Sequence, residues 1–352
     1  MHIPDGYLSP STCAAMYVAS APWWWTALRR TRRKLLGRGL PQLALFAAFS
    51  FVIMMFNLPL PGGTTGHAVG MGIAAIVLGP WASLLAISFA LTIQALFFGD
   101  GGITTLGANC FNMAIAGSFA AWGIYRLLSH GAAPESRRRV VAAALAGYCA
   151  INFSALLAAI EFGIQPMLFH DASGAPLYAP YPLRIALPAM MLGHLTIAGF
   201  AEAAMCAGLF SYLRRNEPAL LNLPSLPAAV AQRAASGLWA TLAVALLLTP
   251  LGILAGGAAW GEWAAKDFSS VAARAQIAAV SGAVQPPAAA PAGLARLATL
   301  WTAPMPNYAP HLAIKSAAFG YLLSAMFGVG LILSGIWIAQ RLWLLASQRR
   351  VE

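Results

Sequence analysis

Residues 68–98 read Ala68-Val-Gly-Met-Gly-Ile-Ala-Ala-Ile-Val-Leu-Gly-Pro-Trp-Ala-Ser-Leu-Leu-Ala-Ile-Ser-Phe-Ala-Leu-Thr-Ile-Gln-Ala-Leu-Phe-Phe98, without one charged side chain. An apolar run of this length is typical of helices that cross a bilayer. The pair Gly79-Pro80 in its middle predicts a turn, because proline cannot continue a preceding helix and glycine permits a sharp bend. The run is therefore predicted to form two helices rather than one.

The whole chain shares this apolar character. Of its 352 residues 60% are hydrophobic and 9% are charged, and the mean hydropathy is +0.71. Charged residues make up about 25% of an ordinary soluble domain. The composition therefore excludes a soluble globule and predicts an all-α, polytopic membrane bundle.

Apolar stretches long enough to cross a bilayer recur along the sequence. A spanning helix needs about 20 apolar residues, and somewhat fewer where protein surrounds it. We predict nine spans, at 10–28, 41–57, 66–79, 82–99, 106–128, 138–162, 184–213, 236–257 and 312–344.

The basic residues predict how these spans are oriented. The net charge is +11, but Lys and Arg fall in short runs between apolar stretches, which is typical of cytoplasmic loops rather than of nucleic-acid binding. The first apolar segment precedes its basic residues, the reverse of a signal peptide, so we expect it to stay uncleaved with the N-terminus outside. The segments 29–40, 129–137 and 214–235 and the C-terminus then face the cytoplasm and hold most of the basic residues.

Several familiar chemical motifs are absent from the sequence. The four cysteines, Cys13, Cys110, Cys149 and Cys206, are isolated and favour neither a disulfide framework nor a zinc site. No phosphate loop G-x-x-x-x-G-K-[ST] and no metalloprotease motif H-E-x-x-H occurs. We therefore expect no enzyme, and any ATP hydrolysis must come from a partner.

The N-terminal stretch Met1-His-Ile-Pro-Asp-Gly-Tyr7 carries a possible metal chelate. A histidine at position 2 offers three nitrogens: the Met1 amine, the His2 amide and His2 Nδ1. These close a five-membered and a six-membered ring in one plane, and a fourth nitrogen completes the square-planar geometry of Ni(II) or Cu(II). Pro4 and Gly6 predict a rigid, bent plug, although most N-termini are disordered and a histidine at position 2 also occurs by chance.

His67 is the predicted fourth donor, with capping of the following helix as the alternative. In the predicted topology the N-terminal plug, the loop 59–67 and the segment 99–109 meet on the outer side. Thr64 or Asn109 is then placed to orient a metal-bound imidazole. A metal site that opens outward implies capture for import.

His194 and Glu202 form a second ionisable pair, eight positions apart on one predicted helix. Such an intramembrane pair is by default a functional candidate. We expect instead a structural, interhelical hydrogen-bond pair, because four nitrogen donors already close the metal plane. Glu161, near the end of the sixth predicted span, is interpreted in the same way.

A second hydrophobic unit follows a proline-rich joint. We expect a metal-binding membrane domain over 1–215, a cytoplasmic linker over 216–235 and a two-helix unit over 236–352. The long outer loop of the second unit, about 258–311, contains a low-complexity stretch from Gln285 and is expected to be partly disordered.

Three motifs resemble one known family. They are Met1-His-Ile-Pro-Asp-Gly6, Gly62-Gly-Thr-Thr-Gly-His67 and Gln94-Ala-Leu-Phe-Phe-Gly-Asp-Gly-Gly-Ile-Thr-Thr-Leu-Gly-Ala-Asn-Cys-Phe-Asn-Met113. Residues 1–215 are similar to the substrate-binding M component of energy-coupling-factor (ECF) nickel/cobalt transporters, the CbiM/NikM family. Residues from 236 onward resemble the small N component of these transporters, which implies an M–N fusion.

The resemblance implies a function, a ligand set and partners. It implies the capture of Ni²⁺ or Co²⁺ by Met1, His2 and His67, in the inner membrane of a bacterium. It also implies a membrane coupling subunit of the T or Q type and cytoplasmic ATPase subunits. The alternative is a self-sufficient secondary metal transporter, for which paired repeats or broken helices with midplane charges are expected.

Overall fold

The computed structural model describes residues 1–35, 39–60, 63–221, 228–310 and 316–348. Gly62 of the second motif, residues 222–227 of the predicted linker, and the last four residues lie outside the described residues. Within them the chain is mostly helical and holds a single two-stranded sheet. The predicted all-α membrane class is confirmed.

Helices account for most of both predicted units. In the first part they are α1 (Pro10–Leu35), α2 (Gly39–Met54), α3 (Met71–Leu78), α4 (Pro80–Ile93), α5 (Leu106–Asn109), α6 (Ser118–Ser129), α7 (Arg137–Leu168), α8 (Leu183–Gly193) and α9 (Gly199–Asn216). In the second they are α10 (Ala228–Leu248), α11 (Val271–Ala279), α12 (Ala292–Leu297) and α13 (Ala317–Gln348). Wider π-helical turns occupy Gln94–Phe98, Cys110–Gly117 and His194–Ala198, and short 3₁₀ turns occupy Pro218–Leu221, Thr249–Leu254, Ala265–Ser269 and Pro306–Tyr308.

Five helical stretches among the described residues are long and apolar enough to cross a membrane. They are Pro80–Phe98, Arg137–Leu168, Leu183–Asn216, Gly237–Leu254 and Ala317–Leu342. Each coincides with a predicted span.

The predicted span 66–79 is wrong in its length. Helix α3 begins only at Met71 and has eight residues, about 12 Å of helix, because a strand and a loop precede it. Gly79, with φ +80, ends α3 and Pro80 begins α4, so the predicted turn at Gly79-Pro80 is confirmed.

The predicted loop 59–67 contains a β-hairpin. Strands β1 (Leu58–Leu60) and β2 (Thr64–Gly66) pair antiparallel, with Leu58 opposite Gly66 and Leu60 opposite Thr64. All three residues of β2 are buried. The hairpin therefore delivers His67 to the interior directly after its second strand.

Helix α7 lies at the centre of the bundle, against α6, α8 and α9. Its buried face is rich in alanine and glycine, which lets helices approach closely. A Cβ added to Gly147 would lie 2.6 Å from Cys206 Sγ, and one added to Gly72 would lie 2.8 Å from Gly147 Cα. Helices α3, α7 and α9 thus pack closely at Gly72, Gly147 and Cys206. Gly72 lies five residues after His67.

The second unit packs against the first. Helix α13 lies on α2, where a Cβ on Gly328 would meet Phe51 Cζ at 2.1 Å. The expectation of partial disorder in the loop 258–311 is wrong for its described residues, 258–310, because they form α11 and α12 and bond to the first unit. Trp301 Nε1 donates to Leu96 O at 2.9 Å, and the Met305 amide donates to Phe97 O at 2.9 Å.

Candidate metal site

The N-terminus is buried rather than frayed. Met1, His2 and Ile3 are at most 3% exposed. Asn109 clamps the Ile3 backbone: its Oδ1 accepts from the Ile3 amide at 2.8 Å and its Nδ2 donates to the Ile3 carbonyl at 3.0 Å. The Thr105 hydroxyl and the Gly102 amide donate to the same carbonyl. The predicted plug is confirmed as an ordered, buried segment.

Residues 5–7 secure the plug on either side. The Asp5 carboxylate accepts from the Ile103 amide at 3.1 Å and from the Thr104 amide at 2.7 Å. The Tyr7 hydroxyl donates to the Trp263 carbonyl at 2.7 Å, which ties the plug to the second unit. Gly6 has φ +89, and a Cβ there would lie 2.5 Å from Leu294 O, so glycine is required at this bend.

The two predicted histidines meet. The rings of His2 and His67 stack with centroids 4.9 Å apart and planes 30° apart. His67 Nδ1 lies 3.0 Å from Ala68 O, so as the donor there it leaves Nε2 with a free lone pair, the usual arrangement of a metal-binding histidine. Burial, reinforced by the neighbouring His2 ring and Met1 amino group, lowers the pKa of His67 to about 3, so the ring is neutral at physiological pH.

The His2 side chain is completely buried. Its Nδ1 lies 2.7 Å from Asp100 Oδ1, an ion-pair contact, whereas Nε2 has no hydrogen-bond partner. A buried polar atom without a partner is uncommon, because its loss of water is uncompensated. The His2 ring is therefore held on one side by an acidic oxygen and is unpaired on the other.

Two carboxylates flank the terminus. Glu262 Oε1 lies 3.3 Å from the Met1 amino nitrogen. Asp100 Oδ2 accepts from the Tyr308 hydroxyl at 2.5 Å and from Gln94 Nε2 at 3.1 Å. Although burial favours the neutral acid, the His2 ring and the Tyr308 hydroxyl keep the pKa of the Asp100 carboxyl below its usual range. Burial and the charge of Asp100 raise the pKa of Tyr308 well above its ordinary value, so the phenol remains a donor.

The arrangement is suited to a nitrogen chelate. Among the described residues no group of three or more His, Cys, Asp and Glu side chains is placed to hold a metal ion. Nitrogen atoms at this point are the amine and amide of the terminus and the His2 and His67 rings. Met1, His2 and His67, the three predicted ligand residues, are brought together at one buried point.

Other predicted contributors have different roles. Asn109 bonds the Ile3 backbone and not an imidazole, because the terminus runs directly past its side-chain amide. The prediction that Asn109 orients a metal-bound imidazole is therefore wrong. Thr64 lies in β2, opposite Leu60. Neither residue has a hydrogen bond to His2 or His67 in the described part of the chain.

His194 and Glu202 do not bond to each other. His194 Nδ1 lies 2.8 Å from Met190 O in its own helix, whereas Glu202 accepts from backbone amides at the start of α3. Glu202 therefore makes an interhelical hydrogen bond, as predicted. The prediction is wrong for His194, whose bond lies within its own helix. Glu161 accepts from Asn112 Nδ2 at 2.8 Å, an interhelical bond as expected.

Two cavities reach the site. One, of about 700 Å³, is lined by Met1, Thr64 and His194 together with Trp260 of the second unit. The other, of about 540 Å³, is lined by His67, Asp100 and Glu262 among others. The two cavities therefore approach the amine and the His67 ring, respectively.

Sequence reasoning missed Asp5, Gln94, Asp100, Glu262 and Tyr308 as neighbours of the site. One signal was available, since the chain has only ten Asp and Glu residues and an acidic residue among glycines, such as Asp100, is then unusual. No comparable signal marked Glu262 and Tyr308, which lie more than 200 positions from the residues they contact.

Comparison with known proteins identifies the family. Residues 2–220 match the CbiM family model, described as the cobalt uptake substrate-specific transmembrane region. The chain belongs to this family. Together with the five spanning helices, membership in the CbiM family makes it a multi-pass membrane protein.

Several relatives of the chain carry transport names. It is 58% identical to the fused nickel transport protein NikMN of Rhodobacter capsulatus, over 96% of this chain and 97% of that protein. It is 36% identical to the cobalt transport protein CbiM of Geobacter sulfurreducens, over 63% of this chain and 61% of that one. A crystal structure of a transition metal transporter matches with a TM-score of 0.57 and 49% identity, over 61% of this chain and 93% of that one. The match to a fused relative confirms the M–N resemblance.

Proposed function

We propose that this protein is the substrate-capture component of an ATP-driven ECF-type importer for Ni²⁺ or Co²⁺. The proposed ligands are the Met1 amine, the amide and Nδ1 of His2, and the imidazole of His67. The observation that carries the proposal is the completely buried His2 ring, next to the Met1 terminus and stacked at 4.9 Å on His67. The nickel and cobalt transport names of its relatives support the choice of metal.

The protonation of the proposed nitrogen donors determines how the ion is captured. The incoming ion sheds its waters, and the amine and the His2 amide each give up a proton, because nitrogen donors bind metals in their deprotonated form. Two fused chelate rings then hold the ion in the plane, and His67 completes it. Cu²⁺ fits the same plane and binds such donors more tightly, so the choice of nickel or cobalt depends partly on which metal is supplied.

One alanine inserted between Met1 and His2 tests the chelate. The insertion keeps every original side chain but changes the size of the chelate rings, so the purified full-length protein is expected to lose its bound nickel, measured by elemental analysis. A matched insertion between Gly131 and Ala132, at an exposed turn, is expected to keep it. Unchanged metal content in the first variant would refute the terminal chelate.

ATP-driven import requires partners. The proposed partners are a T- or Q-type membrane coupling subunit and cytoplasmic ATPase subunits. Uptake of radiolabelled nickel is expected only when these subunits are co-expressed with this chain. Uptake by the chain alone would favour the alternative, a self-sufficient secondary transporter.

A further inference from the structure

Glu202 is a fully buried carboxylate in the first turn of α9, outside the proposed ligand set. Both of its oxygens are used. Oε2 accepts from the Val69 amide at 2.7 Å and the Gly70 amide at 3.0 Å, and Oε1 accepts from the Gly72 amide at 3.2 Å. Three backbone amides, two just before α3 and one in its first turn, thus converge on one side chain.

These amides form the N-terminus of α3. The first amides of a helix have no partner within the helix and carry the positive end of its dipole, so a carboxylate is well suited to bind them. Gly70, at the N-cap, has φ +81, and no side chain of its own helix caps α3. Glu202 supplies this cap from 130 to 133 positions away in sequence.

The capped segment begins directly after His67. Ala68 O is the acceptor that fixes the His67 ring, and the next residue, Val69, is held by Glu202 at its amide and by the Ser50 hydroxyl at its carbonyl, 2.6 Å away. Ala68 and Val69 are both buried. The direction in which the His67 ring points is therefore fixed by the backbone that Glu202 anchors.

We propose that Glu202 is a positioning residue for metal binding, which holds His67 in the plane of the chelate by anchoring residues 69–72. This inference rests on the proposed function, because it requires His67 to bind the ion. Glu202 itself touches no metal. Outer partners of metal ligands commonly contribute a factor of about 10–100 in affinity.

A double-mutant cycle in the full-length protein tests this role. Nickel affinity is measured by competition with a chelating dye for the wild type, Glu202→Ala, His67→Ala and the double variant. We expect Glu202→Ala to weaken binding by about 10–100-fold. In the His67→Ala background the same change should have almost no further effect, because the ligand it positions is gone. An equal loss in both backgrounds would overturn the proposal.

Two further variants separate positioning from folding. Glu202→Gln keeps the size and one oxygen acceptor, so it is expected to fold and to lose part of the affinity. Glu161→Gln also alters a buried carboxylate with an interhelical bond, but its partner is Asn112, and its nickel affinity is expected to stay within about twofold of the wild type. A Glu202→Gln protein with unchanged affinity, or a Glu161→Gln protein with the same loss, would refute the role. The cycle also tests the proposed function by itself. If His67→Ala alone binds nickel normally, His67 is not a ligand and the proposed function fails.

Discussion

Ile3 offers no metal donor, yet the position of the terminus depends on it. Its amide and carbonyl are both bonded to Asn109, and its carbonyl also accepts from Thr105 and Gly102. The sequence predicted that Asn109 lies beside the site but not what it binds. An amide side chain serves a backbone or an imidazole equally well, and only the path of the chain decides between them.

Asn109→Ala is expected to release the terminus. The change removes both side-chain bonds to Ile3, so Met1 and His2 lose their fixed position. We expect nickel affinity to fall by about 10–100-fold, as for other groups that orient metal ligands. The free energy of unfolding should fall by about 1–3 kcal/mol, the usual result of leaving buried backbone groups unpaired.

Asn152→Ala is the matched control for this prediction. Asn152 is also a buried asparagine, but its Nδ2 donates to Tyr148 O within its own helix. Unfolding and nickel competition are measured on both variants. If Asn109→Ala binds nickel no more weakly than Asn152→Ala, the clamp is not needed for binding.

At the scale of the elements, hydropathy located the helices but not their interruptions. All five strongly apolar spans were predictable, because each contains a long, predominantly apolar run with few charged residues. The hairpin at 58–66 and the short α3 were not, since a buried strand and a buried helix have the same composition when apolar residues surround both. The wider turns at Cys110–Gly117 and His194–Ala198 also leave no mark in hydropathy.

The stretch 183–216 shows what produces such an interruption. Thr196 has φ −104 and ψ −106, outside helical values, between α8 and α9. Gly199 follows, and a Cβ there would lie 2.3 Å from His194 O and 2.8 Å from the Tyr148 ring. The regular helix is therefore interrupted where it packs closely on α7, three residues before Glu202.

Gly199→Ala should strain this close approach. Because the added methyl group meets backbone and a packed ring, we expect the free energy of unfolding to fall by about 1–3 kcal/mol. Gly208→Ala, in the same helix and with nothing within 4 Å of the added Cβ, should be neutral or stabilising by up to about 1 kcal/mol. Thermal unfolding of the two purified proteins compares them. Equal stability of both variants would show that the interruption does not depend on glycine.

Across the whole molecule, the two units share the site. The terminal donors that we propose could be read from the sequence because residues 1 and 2 are neighbours in sequence and chelate geometry is fixed by covalent structure. The contacts from beyond residue 236 were not, because composition and periodicity do not report which distant segments meet. Three contacts join the two units directly around the terminus: Tyr7 with Trp263, Met1 with Glu262, and Asp100 with Tyr308.

Tyr308→Phe tests whether the second unit supports the site. The Tyr308 hydroxyl donates to the Asp100 carboxylate, which lies against the His2 ring. A hydrogen bond to a charged group contributes about 1.5–3 kcal/mol, so the free energy of unfolding should fall by that amount. The rise in unfolding temperature on adding Ni²⁺ should also shrink, because Asp100, which lies against the His2 ring, loses one of its hydrogen bonds and a more weakly bound ion stabilises less.

Tyr321→Phe separates this effect from loss of a buried phenol in general. Its hydroxyl donates to Met55 O at 2.8 Å, also between the two units, and not to Asp100. A bond to a neutral carbonyl contributes about 0.5–1.5 kcal/mol, so the loss of stability should be smaller and the nickel-induced shift unchanged. Equal nickel shifts in both variants would mean that the second unit stabilises the fold without supporting the metal ligands.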